Sequence, residues 1–324
     1  MLPAKRKLTP VTLLTGFLGA GKTTLLNRIL TGDTGQRFAV LVNDFGSLNI
    51  DKMLIQNNDG DVITLEGGCV CCLLKADLVN SLLQIVSLCP DHILIEASGV
   101  ANPYGLLQTL KRQVLTKIIR LESVISVVDI TCLPAICEAN EAINYQDLLM
   151  DQITVADMVI LNKVDLADET EKATAVKQLR KIAPWARLLE CSYAQVPLDL
   201  LLGFHDTRAF RPTFSPLEVE HSSQFQTWSF QSEHPFLLQK LKKQLSELPT
   251  TVLRVKGILF SVEHPEQRVI LQQVGVRVTL ETGESWGNTA CYSQLVLIAT
   301  AGTLNKTVLQ QYFENCLIPE TTMA

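Results

Sequence analysis

The sequence predicts an α/β fold with a mostly parallel sheet, followed by a smaller α+β domain. Between Val11 and about Leu202, short apolar runs alternate with helical patterns, and the runs are apolar on both faces. Strands covered by helices on both sides of a parallel sheet have this character. Beyond residue 223 the pattern changes to strand-like runs with two helical patterns, which is typical of an α+β domain. With 324 residues and 47% hydrophobic composition, the chain can bury a core in each domain.

The elements of the first domain can be placed in chain order. Its predicted strands are VTLLTG from Val11, FAVLVND from Phe38, DVITL from Asp61, HILIEAS from His92, SVISVVD from Ser123 and MVILNK from Met158. A helix is predicted in ADLVNSLLQIVSL, where an apolar stripe ends before Pro90 and consists of Leu78, Leu82, Ile85 and Val86. We therefore expect the first domain to occupy residues 1–205.

A linker is predicted where periodicity is lost. HDTRAFRPTFSPLEVEHSS, from His205, gathers proline and small polar residues. We assign residues 206–222 to the linker and 223–324 to the second domain. The second domain's predicted strands are FQTWSF, TVLRVKGILFSV, RVILQQVGVRVTL and SQLVLIAT, with helices near 235–247 and 305–316.

Composition excludes several classes of protein. A net charge of −5 leaves no basic surplus to neutralise phosphates, so we expect no nucleic-acid partner. Lys5, Arg6 and Lys7 precede an apolar stretch, as in a secretory signal, but that stretch runs directly into GKTT. No apolar run reaches the ~18 to 20 residues that a membrane helix needs. We expect a cytoplasmic protein without a membrane partner, in which stable disulfides are rare.

A phosphate-binding loop is predicted at GFLGAGKT, residues 16–23, which matches G-x-x-x-x-G-K-[ST] between a strand and a helix. Its glycines let backbone N–H groups point at phosphates, and the helix N-terminus adds partial positive charge. Lys22 is expected to neutralise the β- and γ-phosphates, and the Thr23 hydroxyl to bind Mg²⁺.

Acidic residues at strand ends are the candidates for the catalytic role. Glu96 follows ILI and precedes Ser98-Gly99, so it is expected to hold the magnesium shell or orient water. In P-loop enzymes the N–H of a glycine in the position of Gly99 can sense the γ-phosphate. Asp44, after the second strand, is a candidate switch residue, although an ordinary turn aspartate would fit there too. The predicted catalytic residues are thus Lys22, Asp44 and Glu96.

The base that the site would read is indicated by VILNKVDL, where Asn162, Lys163 and Asp165 form N-K-x-D after a buried strand. A carboxylate can accept from both N1–H and N2–H₂ of guanine, whereas adenine offers no such donor pair. Lys163 is expected to lay its stem along the ring, and Asn162 to approach O6/N7 and tie this loop to the phosphate loop. The predicted nucleotide ligands are Gly16, Gly19, Ala20, Gly21, Lys22, Thr23, Thr24, Gly99, Asn162, Lys163 and Asp165.

Three cysteines, Cys69, Cys71 and Cys72, follow Gly67-Gly68 in EGGCVCC. A disulfide one or two residues apart rarely reaches the required geometry. Packed sulfurs remain an alternative. Soft thiolates at this spacing suit Zn²⁺, and less selectively Co²⁺ or Cu(I). The other six cysteines are expected to be small buried hydrophobes.

Taken in order, TGFLGAGKTTLLN, VNDFG, LEGGCVCC, IEASGVANP and LNKVDL resemble the CobW/YjiA family of GTPases, relatives of the UreG and HypB metallochaperones. In the second domain, RVKGILF, ESWGN and SQLVLIAT resemble the CobW C-terminal domain. The likeness covers nearly the whole chain. One departure is Asp44, which stands where the family usually has glutamate.

The resemblance implies Mg²⁺-dependent GTP hydrolysis to GDP, coupled to zinc binding and to metal delivery. It implies that Cys69, Cys71 and Cys72 hold the metal, and that Thr23 and Glu96 hold Mg²⁺. The expected partners are GTP, a transition-metal ion, a client metalloprotein or cofactor pathway, and a second copy in a nucleotide- or metal-dependent homodimer. Two other functions stay open: a non-catalytic GTP-binding zinc sensor, and a signalling GTPase with a structural zinc.

Overall fold

The computed structural model describes residues 8–32, 34–42, 53–56, 62–65, 75–133, 144–202 and 225–318. The chain divides into two compact units, Met1–Leu198 and Asp199–Ala324. The residues assigned to the linker, 206–222, lie outside the described ranges. No helix in those ranges is long and apolar enough to cross a membrane.

The first unit alternates strands and helices along the chain. Its strands are β1 (Thr9–Thr15), β2 (Phe38–Val42), β3 (Met53–Gln56), β4 (Val62–Leu65), β5 (His92–Glu96), β6 (Ile119–Asp129), β7 (Met158–Asn162) and β8 (Arg187–Glu190). Its helices are α1 (Lys22–Thr31), α2 (Lys75–Ser87), α3 (Pro103–Leu110), α4 (Asn144–Thr154) and α5 (Glu169–Ile182), with the short α6 (Leu198–Leu201) at the division between the units.

These strands form one sheet in the order β4-β3-β2-β5-β1-β6-β7-β8. The six from β2 to β8 in that order are parallel, while β3 runs antiparallel to β2, and β4 antiparallel to β3. The predicted mostly parallel α/β sheet is therefore confirmed, with an antiparallel edge that the apolar runs did not indicate.

Burial on both faces explains why the central strands are apolar throughout. Every residue of β5 and β7 is buried. The predicted stripe on α2 is also buried, since Leu78, Leu82, Ile85 and Val86 are at most 6% exposed. They join residues of β1, β2 and β5 in one apolar core. The apolar stripe on α2 therefore determines that this face of the helix packs against the apolar strands of the sheet.

The second unit is built on a five-stranded antiparallel sheet in the order β12-β11-β10-β13-β9. Its strands are β9 (Phe225–Ser232), β10 (Val252–Leu259), β11 (Gln267–Val274), β12 (Arg277–Ser285) and β13 (Ser293–Thr300), and its helices are α7 (Leu238–Ser246) and α8 (Lys306–Glu314). RVILQQVGVRVTL, a single run in the sequence, forms two strands of a hairpin. Gly275 has φ of 58° at the turn, a backbone conformation that glycine adopts without strain.

The helices of the second unit pack on one face of its sheet. Leu241 and Leu245 of α7 and Phe313 of α8 lie in the same apolar core as Val255 and Leu271. Arg254 is fully buried and donates from Nη1 to the carbonyl oxygens of Leu200 and Leu201, at 3.4 and 3.3 Å. Its Nη2 donates to Gln272 Oε1 at 3.1 Å. The start of this unit is therefore held by a buried guanidinium.

Candidate functional site

Polar side chains gather at the carboxyl edge of the parallel sheet. Glu96, Asp129 and Asn162 are the last residues of β5, β6 and β7. In the register of the sheet Glu96 lies opposite Leu14, and Asp129 opposite Asn162. Open parallel sheets bind ligands in the crevice at this edge. Glu96 and Asn162, two predicted candidates that lie far apart in the chain, are thus brought to one edge.

The glycine-rich loop follows β1 at this same edge. Gly16, Gly19 and Gly21 have φ of 134°, 73° and 110°, conformations that other residues rarely adopt. A Cβ atom on Gly16 would collide with the Val127 carbonyl oxygen, and one on Gly21 with Asn162 Nδ2. The loop leads into α1, whose N-cap Gly21 supplies no side-chain hydrogen bond. The first N–H groups of α1 thus receive no side-chain cap from Gly21, an arrangement that suits an anion.

Lys22 and Thr23, the first two residues of α1, face this edge. Lys22 is 7% exposed and its Nζ donates to the Phe17 carbonyl oxygen at 3.0 Å. The Thr23 hydroxyl donates to Glu96 Oε1 at 2.7 Å, and Glu96 is 5% exposed. A hydroxyl and a carboxylate oxygen side by side are the ligand types that Mg²⁺ takes in nucleotide sites. The donor set therefore fits that ion.

Gly99 lies against the glycine-rich loop. A Cβ atom on Gly99 would come within 2.6 Å of Leu18 N, so a larger residue would force the two loops apart. Gln152 of α4 donates from Nε2 to the Gly99 carbonyl oxygen at 3.1 Å. Gly99 is thus placed between the predicted phosphate loop and α4.

Asn162 links three segments of the edge. Its Nδ2 donates to the Ala20 carbonyl oxygen at 2.9 Å, and its Oδ1 accepts from Ala194 N at 2.9 Å and from Cys191 Sγ at 3.5 Å. Asn162 is 2% exposed, while Asp165 is exposed beyond it. The amide therefore ties β7 to the glycine-rich loop, as the N-K-x-D pattern predicts, and leaves Asp165 open to a ligand.

Lys163 is held by an acidic residue that the sequence reasoning missed. Its Nζ lies 2.6 Å from Asp129 Oδ2, and its backbone is left-handed with φ of 62°. Burial by itself raises the pKa of Asp129, but hydrogen bonds from Lys163 and from the Thr131 hydroxyl and N–H outweigh it, so the pKa lies below its ordinary value. An acid at the end of a buried strand was the signal available in SVISVVD.

The chain after β8 turns sharply beside α1. Tyr193 and Ala194 both have φ of 54°, and the Tyr193 carbonyl oxygen accepts from Arg28 Nε at 2.9 Å. Tyr193 is 68% exposed, whereas Ala194 is buried against Asn162.

Several candidates lie outside the described residues: Asp44, Cys69, Cys71 and Cys72. Within the described ranges, no group of three or more His, Cys, Asp or Glu residues could hold a metal ion. The expectation that all the remaining cysteines are buried is wrong for Cys89, which is exposed just after the end of α2, and for Cys132 and Cys291, which are half-buried. Cys137 lies outside the described residues. Cys191 and Cys316 are buried, and burial raises the pKa of each thiol to about 11.

Two family models match the chain. The model described as "CobW/HypB/UreG, nucleotide-binding domain" matches residues 10–190, and "Cobalamin synthesis protein cobW C-terminal domain" matches residues 225–317. The chain is 29% identical over 305 residues to "Zinc chaperone YjiA" of Escherichia coli, with 89% of this chain and 93% of that protein covered.

Two further relatives extend the comparison. "Zinc chaperone CobW" of Pseudomonas aeruginosa is 31% identical over 326 residues, which cover 89% of this chain and 87% of that protein. "Zinc-regulated GTPase metalloprotein activator 1" of Dictyostelium discoideum is 26% identical over 388 residues, which cover 97% and 81%. Each likeness spans both units of the chain.

Proposed function

Because the chain belongs to the CobW/HypB/UreG family, whose relatives carry the names zinc chaperone and zinc-regulated GTPase, we propose that it is a GTPase that couples GTP hydrolysis to zinc transfer. It delivers the metal to a client metalloprotein or cofactor pathway in the cytoplasm. The observation that carries the proposal is the 2.7 Å hydrogen bond between Thr23 and Glu96, at the edge where Asn162 joins the glycine-rich loop.

The phosphates of GTP are bound by the glycine-rich loop in this proposal. Backbone N–H groups of residues 16–24 surround the phosphates, and the Lys22 ammonium neutralises the β- and γ-phosphates. Gly16 and Gly21 support this role. A side chain at either position would collide with Val127 or Asn162, so only glycine lets the backbone turn tightly enough to form the cradle.

Thr23 and Glu96 hold Mg²⁺ in the proposal, directly or through its water shell. Mg²⁺ bound there would neutralise the negative charge that develops on the phosphates during hydrolysis. Glu96 Oε1 also accepts a hydrogen bond from the Thr23 hydroxyl, which keeps the hydroxyl oxygen turned to this position. Asp44, which orients the attacking water in the proposal, lies outside the described residues.

Guanine is read by Asp165, which accepts from N1–H and N2–H₂ of the base. Its exposure supports this role, since an exposed carboxylate is available to a ligand. Lys163 lays its stem across the ring while Asp129 holds its ammonium group. Asn162 anchors the loop through both ends of its amide. Its Nδ2 carries two hydrogens, and in the proposal the second approaches O6/N7 of the base.

Zinc is the cargo, and we assign it to Cys69, Cys71 and Cys72. The order of the chain supports coupling to the nucleotide, because β4 ends directly before these residues and Glu96 ends β5. A movement driven by the γ-phosphate can therefore open or close the metal loop as a two-state switch.

The test is a zinc titration of the wild type and of a variant with Cys69, Cys71 and Cys72 changed to serine, each with GDP and with a non-hydrolysable GTP analogue. We expect the variant to lose stoichiometric zinc binding and to keep its GDP affinity. In the wild type, zinc affinity should differ between nucleotides and weaken as pH falls, because protons compete for the thiolates. Changing Cys89 and Cys291 to serine gives a control outside the motif.

Single-turnover hydrolysis with and without zinc completes the test. No phosphate release under any metal condition would favour a zinc sensor over a GTPase. Equal zinc affinity in both nucleotide states would favour a signalling GTPase with a structural zinc. Unchanged zinc binding in the triple variant would dismiss the cysteine site.

A further inference from the structure

Helix α4 holds the loop that follows Glu96 at three points. Gln152 donates from Nε2 to the carbonyl oxygens of Gly99 and Ala101, at 3.1 and 3.4 Å. Asn102 Nδ2 donates to Asp151 Oδ2 at 3.1 Å. Beyond the loop, the hydroxyl of Tyr104 on α3 lies 3.2 Å from that of Thr154. One turn of α4 thus contacts most of the loop that carries Gly99.

We propose that Gln152 is a positioning residue that holds Gly99 against the phosphate loop and so favours the nucleotide that carries a γ-phosphate. This inference rests on the proposed function and on the sequence-based expectation that the Gly99 N–H senses that phosphate. The carbonyl of Gly99 points to Gln152, so the amide fixes the orientation of the peptide between Gly99 and Val100. Gly99 contacts Leu18 on its other side, where even one added carbon atom has no room.

The chemistry of Gln152 argues for a role beyond packing. Its side chain is fully buried, and within the described part of the chain its Oε1 has no hydrogen-bond partner. A buried polar atom without a partner lowers stability. A methionine has similar length and no polar end, so it would fill this position without that cost. The unpartnered oxygen thus contributes nothing to packing, whereas the Nε2 donor is suited to holding Gly99.

These facts give different expectations for two measurements on Gln152→Met. Thermal stability should stay close to that of the wild type, because packing is kept and removal of the unpartnered oxygen offsets the loss of the donor to the buried Gly99 carbonyl. Affinity for a non-hydrolysable GTP analogue, relative to GDP, should fall about fivefold, the effect of losing one ordinary neutral hydrogen bond. We count one bond because the second, at 3.4 Å, is too long to add much. GDP affinity itself should stay unchanged.

A second variant guards against a folding defect at the buried position. Asn102→Asp keeps the N-cap of α3, because a carboxylate oxygen accepts from Tyr104 N as the amide does at 2.9 Å. It removes the donor to Asp151 and places two carboxylates together. The ratio of analogue to GDP affinity should fall about twofold, in the same direction as for Gln152→Met. Gln108→Met, exposed on α3, is the matched control and should behave as the wild type.

The experiment is calorimetric titration of the wild type and the three variants with GDP and the analogue, together with thermal unfolding. An unchanged affinity ratio in Gln152→Met, or equal weakening of both nucleotides, would overturn the positioning role while leaving the GTPase intact. A wild type that binds neither guanine nucleotide would remove the proposed function and this inference with it. A lower ratio in Gln152→Met and Asn102→Asp, but not in Gln108→Met, is the expected result.

Discussion

Replacing Asn162 by alanine should weaken both the fold of the first unit and its hold on nucleotide. The amide makes two hydrogen bonds of 2.9 Å, to the Ala20 carbonyl oxygen and from Ala194 N. Both of those residues are fully buried, so water cannot readily replace the lost partner. Leaving a buried donor or acceptor unsatisfied costs about 1 to 3 kcal/mol. For the pair we expect the free energy of unfolding to fall by about 2 to 4 kcal/mol.

The assay must assign unfolding to the correct unit. Chemical denaturation is measured with and without GDP, and the transition that GDP shifts belongs to the unit that binds nucleotide. In a domain of this size, a loss of 3 kcal/mol lowers the melting temperature by roughly 6 to 12 °C. Asn162→Ala should also weaken GTP and xanthosine triphosphate binding to the same extent, because the residue anchors the loop and is expected to approach only O6/N7, which both bases carry.

Asn305→Ala is the matched control, since it makes the same chemical change at the N-cap of α8 in the second unit. It should leave the GDP-dependent transition in place. If Asn162→Ala unfolded within about 0.5 kcal/mol of the wild type, a size typical of exposed substitutions, and bound GTP normally, the anchoring role would be refuted.

Three further outcomes are expected. Asp165→Asn exchanges two acceptors for an amide and should lose guanine preference by about 1.5 to 3 kcal/mol, measured as GTP against xanthosine triphosphate affinity; an unchanged preference would contradict the assignment. Lys22→Ala should reduce hydrolysis by orders of magnitude with the fold intact, because the ammonium serves the phosphates; a fully active variant would refute that role. Asp129, whose folded pKa lies below the ordinary value of 3.8, stabilises the fold above that pH, and this stability is lost as pH falls through the lower folded pKa. Denaturation between pH 6 and pH 2.5 should therefore show a decline below about pH 4 that Asp129→Asn reduces, and an identical decline in the variant would argue against the Lys163 ion pair.

Local patterns predicted the parts of the site that follow one another in the chain. The glycine-rich loop, the strand ending at Glu96 and the N-K-x-D turn each carry a short motif whose chemistry is set by its own spacing. The link from Asn162 to the glycine-rich loop was also predicted, because the asparagine of an N-K-x-D motif is expected to tie its loop to the phosphate loop. The sequence could be read that far because each motif sits directly after a buried strand.

Contacts between distant residues could not be read in this way. Gln152 meets Gly99 across 53 positions, and Asp129 meets Lys163 across 34 positions. Neither pair has a periodic pattern, so only the packed fold brings them together. The hairpin at Gly275 was missed because its turn is only two residues long, so the strand-like run continues through it almost without a break. Cys89 was expected inside because its apolar neighbours belong to α2, which ends just before it.

The buried guanidinium of Arg254 bears on how this protein can be divided for experiments. A fragment that begins at residue 223, where the sequence places the second domain, lacks the carbonyl oxygens of Leu200 and Leu201 that Arg254 contacts. Arginine stays charged and has no acceptor of its own, so the fragment would carry a cation with part of its hydrogen bonding removed. Expression of the second unit should therefore start at Asp199. If a shorter fragment is insoluble, the cause would be the removal of Leu200 and Leu201 and not an inability of the second unit to fold.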